Sequence, residues 1–182
     1  MKRSMILFLV ALLIPCVATA DVMTVTDDDI NAGDTVTWTA GNTYVLDGFV
    51  FVEGGAVLNI EAGTVIKGKP GAGENASALI ICQDAKIFAE GTAMNPIIFT
   101  AESDDITDPN DIPFGTSGLW GGLLVLGNST INTAEGVGNI EGIPSSEPRG
   151  QYGGTDDHDS SGVIRYVSVR HGGTDIGEGN EI

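Results

Sequence analysis

The amino-acid sequence predicts an all-β chain wound as a parallel β-helix, and two observations carry that expectation. Apolar residues come in clusters of three or four without helical spacing, separated by Gly, Asn and Asp. The clusters and their corners also recur at a short period, the signature of a solenoid. The 26 glycines among 182 residues fit a chain with many tight corners.

The expected strands follow in order. Tyr44-Val45-Leu46 and Phe49–Val52 come first. Gly54-Gly55 then leads to Val57–Ile60, and Ala62-Gly63 leads to Thr64–Ile66. The scheme repeats from Leu79: Leu79–Cys82, Asp84-Ala85, Ile87-Phe88, Glu90-Gly91-Thr92, then Ile97–Thr100. Glu61-Ala62-Gly63-Thr64 and Ala89-Glu90-Gly91-Thr92 hold matching places. Leu123–Leu126 and Val163–Val169 complete the set, the latter with a bend near Tyr166. Stacking such coils buries a stripe of Val, Ile and Leu in each against its neighbours. The residues expected to point inward are Val50, Val52, Leu58, Ile60, Ile66, Ile81, Ile87, Ile98, Val125, Val167 and Val169. Long alternating strands around Asn-Gly or Asp-Gly are missing, which disfavours hairpins, although Asp47-Gly48 is a partial match. A β-sandwich is the alternative fold.

Residues 1–20 read as a signal peptide. Lys2 and Arg3 precede an apolar run from Met5 to Ile14, and Ala18-Thr19-Ala20 supplies a small-residue exit. The run is too short to cross a bilayer core of roughly 30 Å. Cys16 follows Pro15, which does not suit lipid attachment. Cleavage after Ala20 would send the chain outside the cell or to its surface and leave residues 21–182 as one β-helix domain. Gly177–Ile182 resembles the start of another coil, so that domain is expected to be incomplete at its C-terminal side. The formal charge is −17, and −19 beyond Ala20, where six basic residues face 25 acidic ones. That surface repels phosphate backbones and anionic membranes, so nucleic acid is not an expected partner. It suits divalent cations, cationic partners or salt solubility. Cys82 alone survives cleavage, so an internal disulfide is excluded, and its apolar setting marks it as a small buried hydrophobe.

Two acidic insertions interrupt the coils, Glu102–Ser117 and about Ile143–Ser161; loops of that length are usually functional or disordered. The segments Gly118-Leu119-Trp120-Gly121-Gly122-Leu123-Leu124-Val125-Leu126-Gly127-Asn128 and Ser161-Gly162-Val163-Ile164-Arg165-Tyr166-Val167-Ser168-Val169-Arg170-His171-Gly172-Gly173, with Gly63–Gly68 and Ala89–Thr92, resemble secreted bacterial right-handed parallel β-helix proteins of largely uncharacterised function. The resemblance covers about Val50–Gly173. It implies a right-handed β-helix and supplies no catalytic residues.

The strongest local motif is Asp157-His158-Asp159-Ser160-Ser161-Gly162. Oxygen side chains two apart, before a glycine, could turn Asp157, Asp159 and Ser161 toward one Ca²⁺. The competing reading is an acidic turn that caps backbone N–H groups. Asp27-Asp28-Asp29 reads as a solvated turn. Arg165 and Arg170 should face outward, with His171 at the next corner. Beside bound calcium they could serve an acidic sugar chain; otherwise they neutralise acids on neighbouring coils. Trp120 could stack on a sugar ring or pack a corner. The expected function is a non-catalytic extracellular or cell-surface module for adhesion, or for binding a polysaccharide or surface protein. The alternatives are part of a calcium-assisted polysaccharide lyase or hydrolase, and a structural spacer.

Overall fold

The computed structural model describes residues 20–177 and 180–181. The signal-peptide reading of residues 1–20 falls almost wholly outside them. The chain winds through three parallel sheets. The first contains β1 (Val22–Val25), β3 (Thr43–Leu46), β6 (Val65–Gly68), β9 (Ile97–Ala101) and β14 (Val167–Val169). The second contains β4 (Phe49–Val52), β7 (Ala78–Ile81) and β10 (Gly122–Val125), and the third β2 (Thr35–Trp38), β5 (Val57–Ile60), β8 (Lys86–Glu90) and β13 (Gly162–Arg165). Successive strands visit the sheets in turn, so β3-β4-β5 and β6-β7-β8 are complete coils. In the first coil a short 3₁₀ turn, Asp27–Asp29, packs beneath β4 where the other coils have a strand. This is a parallel β-helix, not a sandwich.

The ladders stack like on like, and this builds the core. Val50 lies beside Leu79, Val52 beside Ile81, Leu58 beside Ile87 and Ile60 beside Ala89. All eight are buried. Trp38 and Tyr44 stack their rings 4.9 Å apart at the lower end of the core. Seven of the expected inward residues, Val50 through Ile87, are buried as the repeat requires. Ile98 is a correction. It is only half-buried and lies beside Val65, while Ile97 and Phe99 take the inward places. The cluster Ile97–Thr100 is apolar on both faces, so its alternation could not fix the register.

Val125, Val167 and Val169 need a different correction. They occupy inward stacks, above Ile81, Ile97 and Phe99, yet Val125 and Val169 are exposed and Val167 is only partly covered. No described strand lies on their far side. Tyr166 and His171 adopt left-handed φ of 49° and 57°, which forms the bend and the corner expected there.

The first insertion leaves β9 and returns at β10. Its carboxylates close their own turns: Asp105 accepts from the N–H and hydroxyl of Thr107, and Asp108 from the N–H of Asn110. The second insertion is longer than the sequence suggested, because it starts directly after β10 and ends at β13. It contains the two-residue antiparallel pair β11 (Gly138–Asn139) and β12 (Gln151–Tyr152) and a 3₁₀ turn at Pro148–Gly150. β15 (Asp175–Gly177) and β16 (Asn180–Glu181) form a further antiparallel pair.

Candidate ligand-binding groove

The second insertion lies over the outer face of β4, β7 and β10. Alternation sends Phe49, Phe51, Ala78, Ile80 and Leu124 to that face. Bare, it would expose two phenyl rings. Instead Phe51 and Ile80 are buried, and Ile140, Ile143 and Tyr152 pack into the same apolar cluster. Gln83 fastens the insertion by donating to the carbonyls of Gly127 and Gly153, at 3.3 and 2.5 Å.

Arg149 fixes the far end of the insertion to the first coils. Its Nε donates to Glu147 at 2.8 Å. One terminal nitrogen donates to Asp27 and Glu53, each at 3.0 Å. The other donates to Asp27 at 2.9 Å and Glu147 at 2.8 Å. A guanidinium has five N–H donors, and all five are used. Its carbon sits 4.2 Å from the centre of the Phe51 ring, a cation–π contact. The bonds with Glu147 and Asp27 raise the Arg149 pKa further. In return, the hydrogen bond from Arg149 is the largest influence holding the Glu147 carboxyl below its usual range. Cys82 lies near this cluster, and burial pushes its thiol up to about 12, so it carries no useful thiolate at neutral pH.

Beside this anchor runs an open groove of about 460 Å³, lined by Asp27, Phe49, Glu74, Pro144, Ser146 and Glu147 among others. It adjoins a second hollow of about 450 Å³ through the shared Glu74, Ile143 and Pro144. The partly exposed Phe49, a serine and several acidic residues line one trough. With the Arg149 donors committed, the ionised groups there act as hydrogen-bond acceptors. Sequence reading missed this site, because Arg149 and Asp27 are 122 positions apart and only the fold brings them together.

The residues singled out from sequence are scattered. Trp120 is fully buried, and its indole N–H donates to the Arg170 carbonyl at 2.7 Å, so no ring face is open to a sugar. Arg165 pairs with Glu90 on the neighbouring coil at 2.9 Å, an exposed surface pair. Arg170 donates to the Ser168 hydroxyl at 3.1 Å and lies 3.8 Å from buried Asp104. Asp159 accepts from the Asn128 N–H at 2.9 Å. Asp157 accepts from the Thr130 N–H at 3.1 Å and the Ser129 hydroxyl at 3.2 Å. Hydrogen bonds from Thr130, then from Ser129, lower the Asp157 pKa. Both carboxylates thus cap a segment distant in sequence, Asn128–Thr130, and not N–H groups of their own turn. Among the described residues no three His, Cys, Asp or Glu side chains gather as a metal site.

Comparison with protein families places this architecture. A model of the pectate-lyase-like β-helix domain matches residues 29–182. The chain belongs to that family. Comparisons with curated proteins and with solved structures returned no match.

Proposed function

We propose that the protein is a non-catalytic extracellular or cell-surface β-solenoid module that binds a glycan, or a glycan-bearing partner, in the groove beside Pro144–Arg149. The observation that carries this reading is the groove itself. A partly exposed aromatic ring and hydrogen-bond acceptors line a trough whose walls are held rigid by Arg149. Sugar hydroxyls are donors that such acceptors can take, and an aromatic ring can cover an apolar sugar face. A signal peptide on residues 1–20 would deliver the module to the cell exterior. Calcium is not needed for this role.

The acidic surface favours neutral over uronic-acid chains, because a polyanion would meet a chain of formal charge −17. The test is calorimetric titration with neutral and with acidic oligosaccharides, using wild type and the pair Phe49→Ala and Glu74→Gln. Binding of a neutral oligosaccharide that both variants weaken is expected. No binding by any oligosaccharide would overturn the proposal.

The family's name favours a second reading, an enzyme acting on polysaccharide. Incubation with polyuronates separates the two. Unsaturated products or new reducing ends would establish turnover and replace the binding role.

A further inference from the structure

The groove beside Pro144–Arg149 contains one carboxylate that the fold does not use. Asp27 accepts from the Phe51 N–H and from both terminal nitrogens of Arg149, and both Glu147 oxygens also accept from Arg149. Glu74 belongs to the 3₁₀ turn Gly73–Asn75 and lines the same groove. It is exposed and has no hydrogen-bond or ion-pair partner among the described residues. The residues lining the groove include three acids, Asp27, Glu74 and Glu147, against the single guanidinium of Arg149, a formal charge of −2. Glu74 also lies where the hollows of about 460 and 450 Å³ adjoin, and each is of a size usual for a small-molecule site, roughly 300–1,000 Å³. Ser146 lines the first hollow and Ser145 the second.

The adjacent anchor shows what such a setting holds. The Arg149 guanidinium stands 4.2 Å from the centre of the Phe51 ring while carboxylates bind its nitrogens. Phe49, its ring centre 6.4 Å from that of Phe51, lines the groove together with Glu74, and no second Lys or Arg lines it. We propose that the ligand itself supplies the missing cation: the groove takes an oligosaccharide of amino sugars, with a protonated free amino group at Glu74 and a sugar ring against Phe49. This rests on the glycan-binding reading given above and adds the class of glycan. An ammonium brings three donors, its hydrogen bond to a carboxylate is charge-assisted, and an aromatic ring attracts it. An N-acetylated amino sugar has no charge there and gains none of this. The two hollows select a sugar chain over a basic peptide. Ring hydroxyls in each hollow can bond to Ser146 and Ser145 on either side of Glu74, and a lysine side chain brings the charge without those hydroxyls.

The experiment is calorimetric titration with a β-1,4-linked glucosamine trimer, its N-acetylated counterpart and trilysine. It is run at mildly acidic pH, where amines are protonated and carboxylates remain ionised. Wild type is compared with Glu74→Gln and with Glu61→Gln. Glu61 sits at the corner between β5 and β6, which the second sheet does not share, and its Oε2 accepts from the Ala40 N–H, a bond that Gln can keep. Both variants remove one negative charge, so diffuse attraction to an acidic chain falls equally in the two. Glu74 is exposed and bonds to nothing in the fold, so Glu74→Gln should melt at the wild-type temperature. Wild type is expected to bind the amino trimer about tenfold or more tightly than the N-acetylated one. Glu74→Gln should bring the two trimers to within about threefold, and Glu61→Gln should leave their ratio as in wild type. Equal wild-type affinity for the two trimers would overturn this inference and leave the groove as a glycan site. A preference reduced as much by Glu61→Gln as by Glu74→Gln, or trilysine bound as tightly as the amino trimer, would also overturn it. Binding of neither trimer would overturn it together with the reading on which it rests.

Discussion

Arg149→Ala tests how the insertion is held. The Arg149 side chain is 28% exposed, and its partners Glu147, Glu53 and Asp27 are 26%, 28% and 40% exposed. Fully exposed pairs contribute about 1 kcal/mol or less, and removing one partner of a buried pair costs about 3–5 kcal/mol. This cluster lies between those limits, because one cation holds three carboxylates that would otherwise repel each other. Truncation to Ala should therefore cost about 2–4 kcal/mol. For a domain of this size that corresponds to a fall of roughly 5–15 °C in melting temperature. Arg149→Lys keeps the charge but loses the planar fork, and should cost about half as much.

The pH dependence of the same variant has a definite sign. The folded-state pKa of Glu147 is depressed, so its contribution is fully present above the unfolded value of about 4.3 and is lost as pH falls through the lower folded value. Wild type should lose this stability on acidification, and Arg149→Ala has none of it to lose. The gap between the two proteins should shrink below about pH 4. Urea unfolding at a series of pH values measures the gap. Thiol labelling of Cys82 gives an independent readout, because a released insertion should admit reagent to the buried sulfur. A gap under about 0.5 kcal/mol at neutral pH, the size of an ordinary surface substitution, would refute the anchoring argument, as would a gap that does not change with pH.

Three further outcomes are expected. Ile97→Ala should cost about 2–5 kcal/mol in chemical denaturation because Ile97 is fully buried, and half-buried Ile98→Ala should cost clearly less; equal costs would reject the register seen here. Gly68→Ala should destabilise strongly, since a Cβ there would stand 2.6 Å from the fully buried Trp120 ring; an unchanged melting temperature would show that the ring can move away. Asp157→Asn with Asp159→Asn should lower the melting temperature slightly through weakened caps on Asn128 and Thr130, equally with and without calcium; a calcium-induced rise in wild-type melting temperature that the double variant loses would instead establish a metal site.

The sequence by itself determined the class of fold. Short clusters of β-branched residues, separated by glycine corners at a repeating period, bury fully only when each coil stacks on its neighbours, so Val50, Leu58, Ile66 and Ile87 could be placed inward from their spacing. The bend at Tyr166 and the pairing of Arg165 with an acid of the next coil were legible for the same reason, since both are properties of one strand and its neighbour. The register of Ile97–Ala101 was not legible. Where both faces of a strand are apolar, alternation carries no information, and only the ladder with β6 decided that Ile97 and Phe99 turn inward. The uncovered Val125 and Val169 follow the inward pattern perfectly, and only the three-dimensional stack shows that nothing described lies above them. The groove belonged wholly to the tertiary structure. Arg149, Glu53 and Asp27 come from distant parts of the chain, and no local pattern encodes their meeting. It follows from the path of the second insertion over two outward phenylalanines that water would otherwise cover.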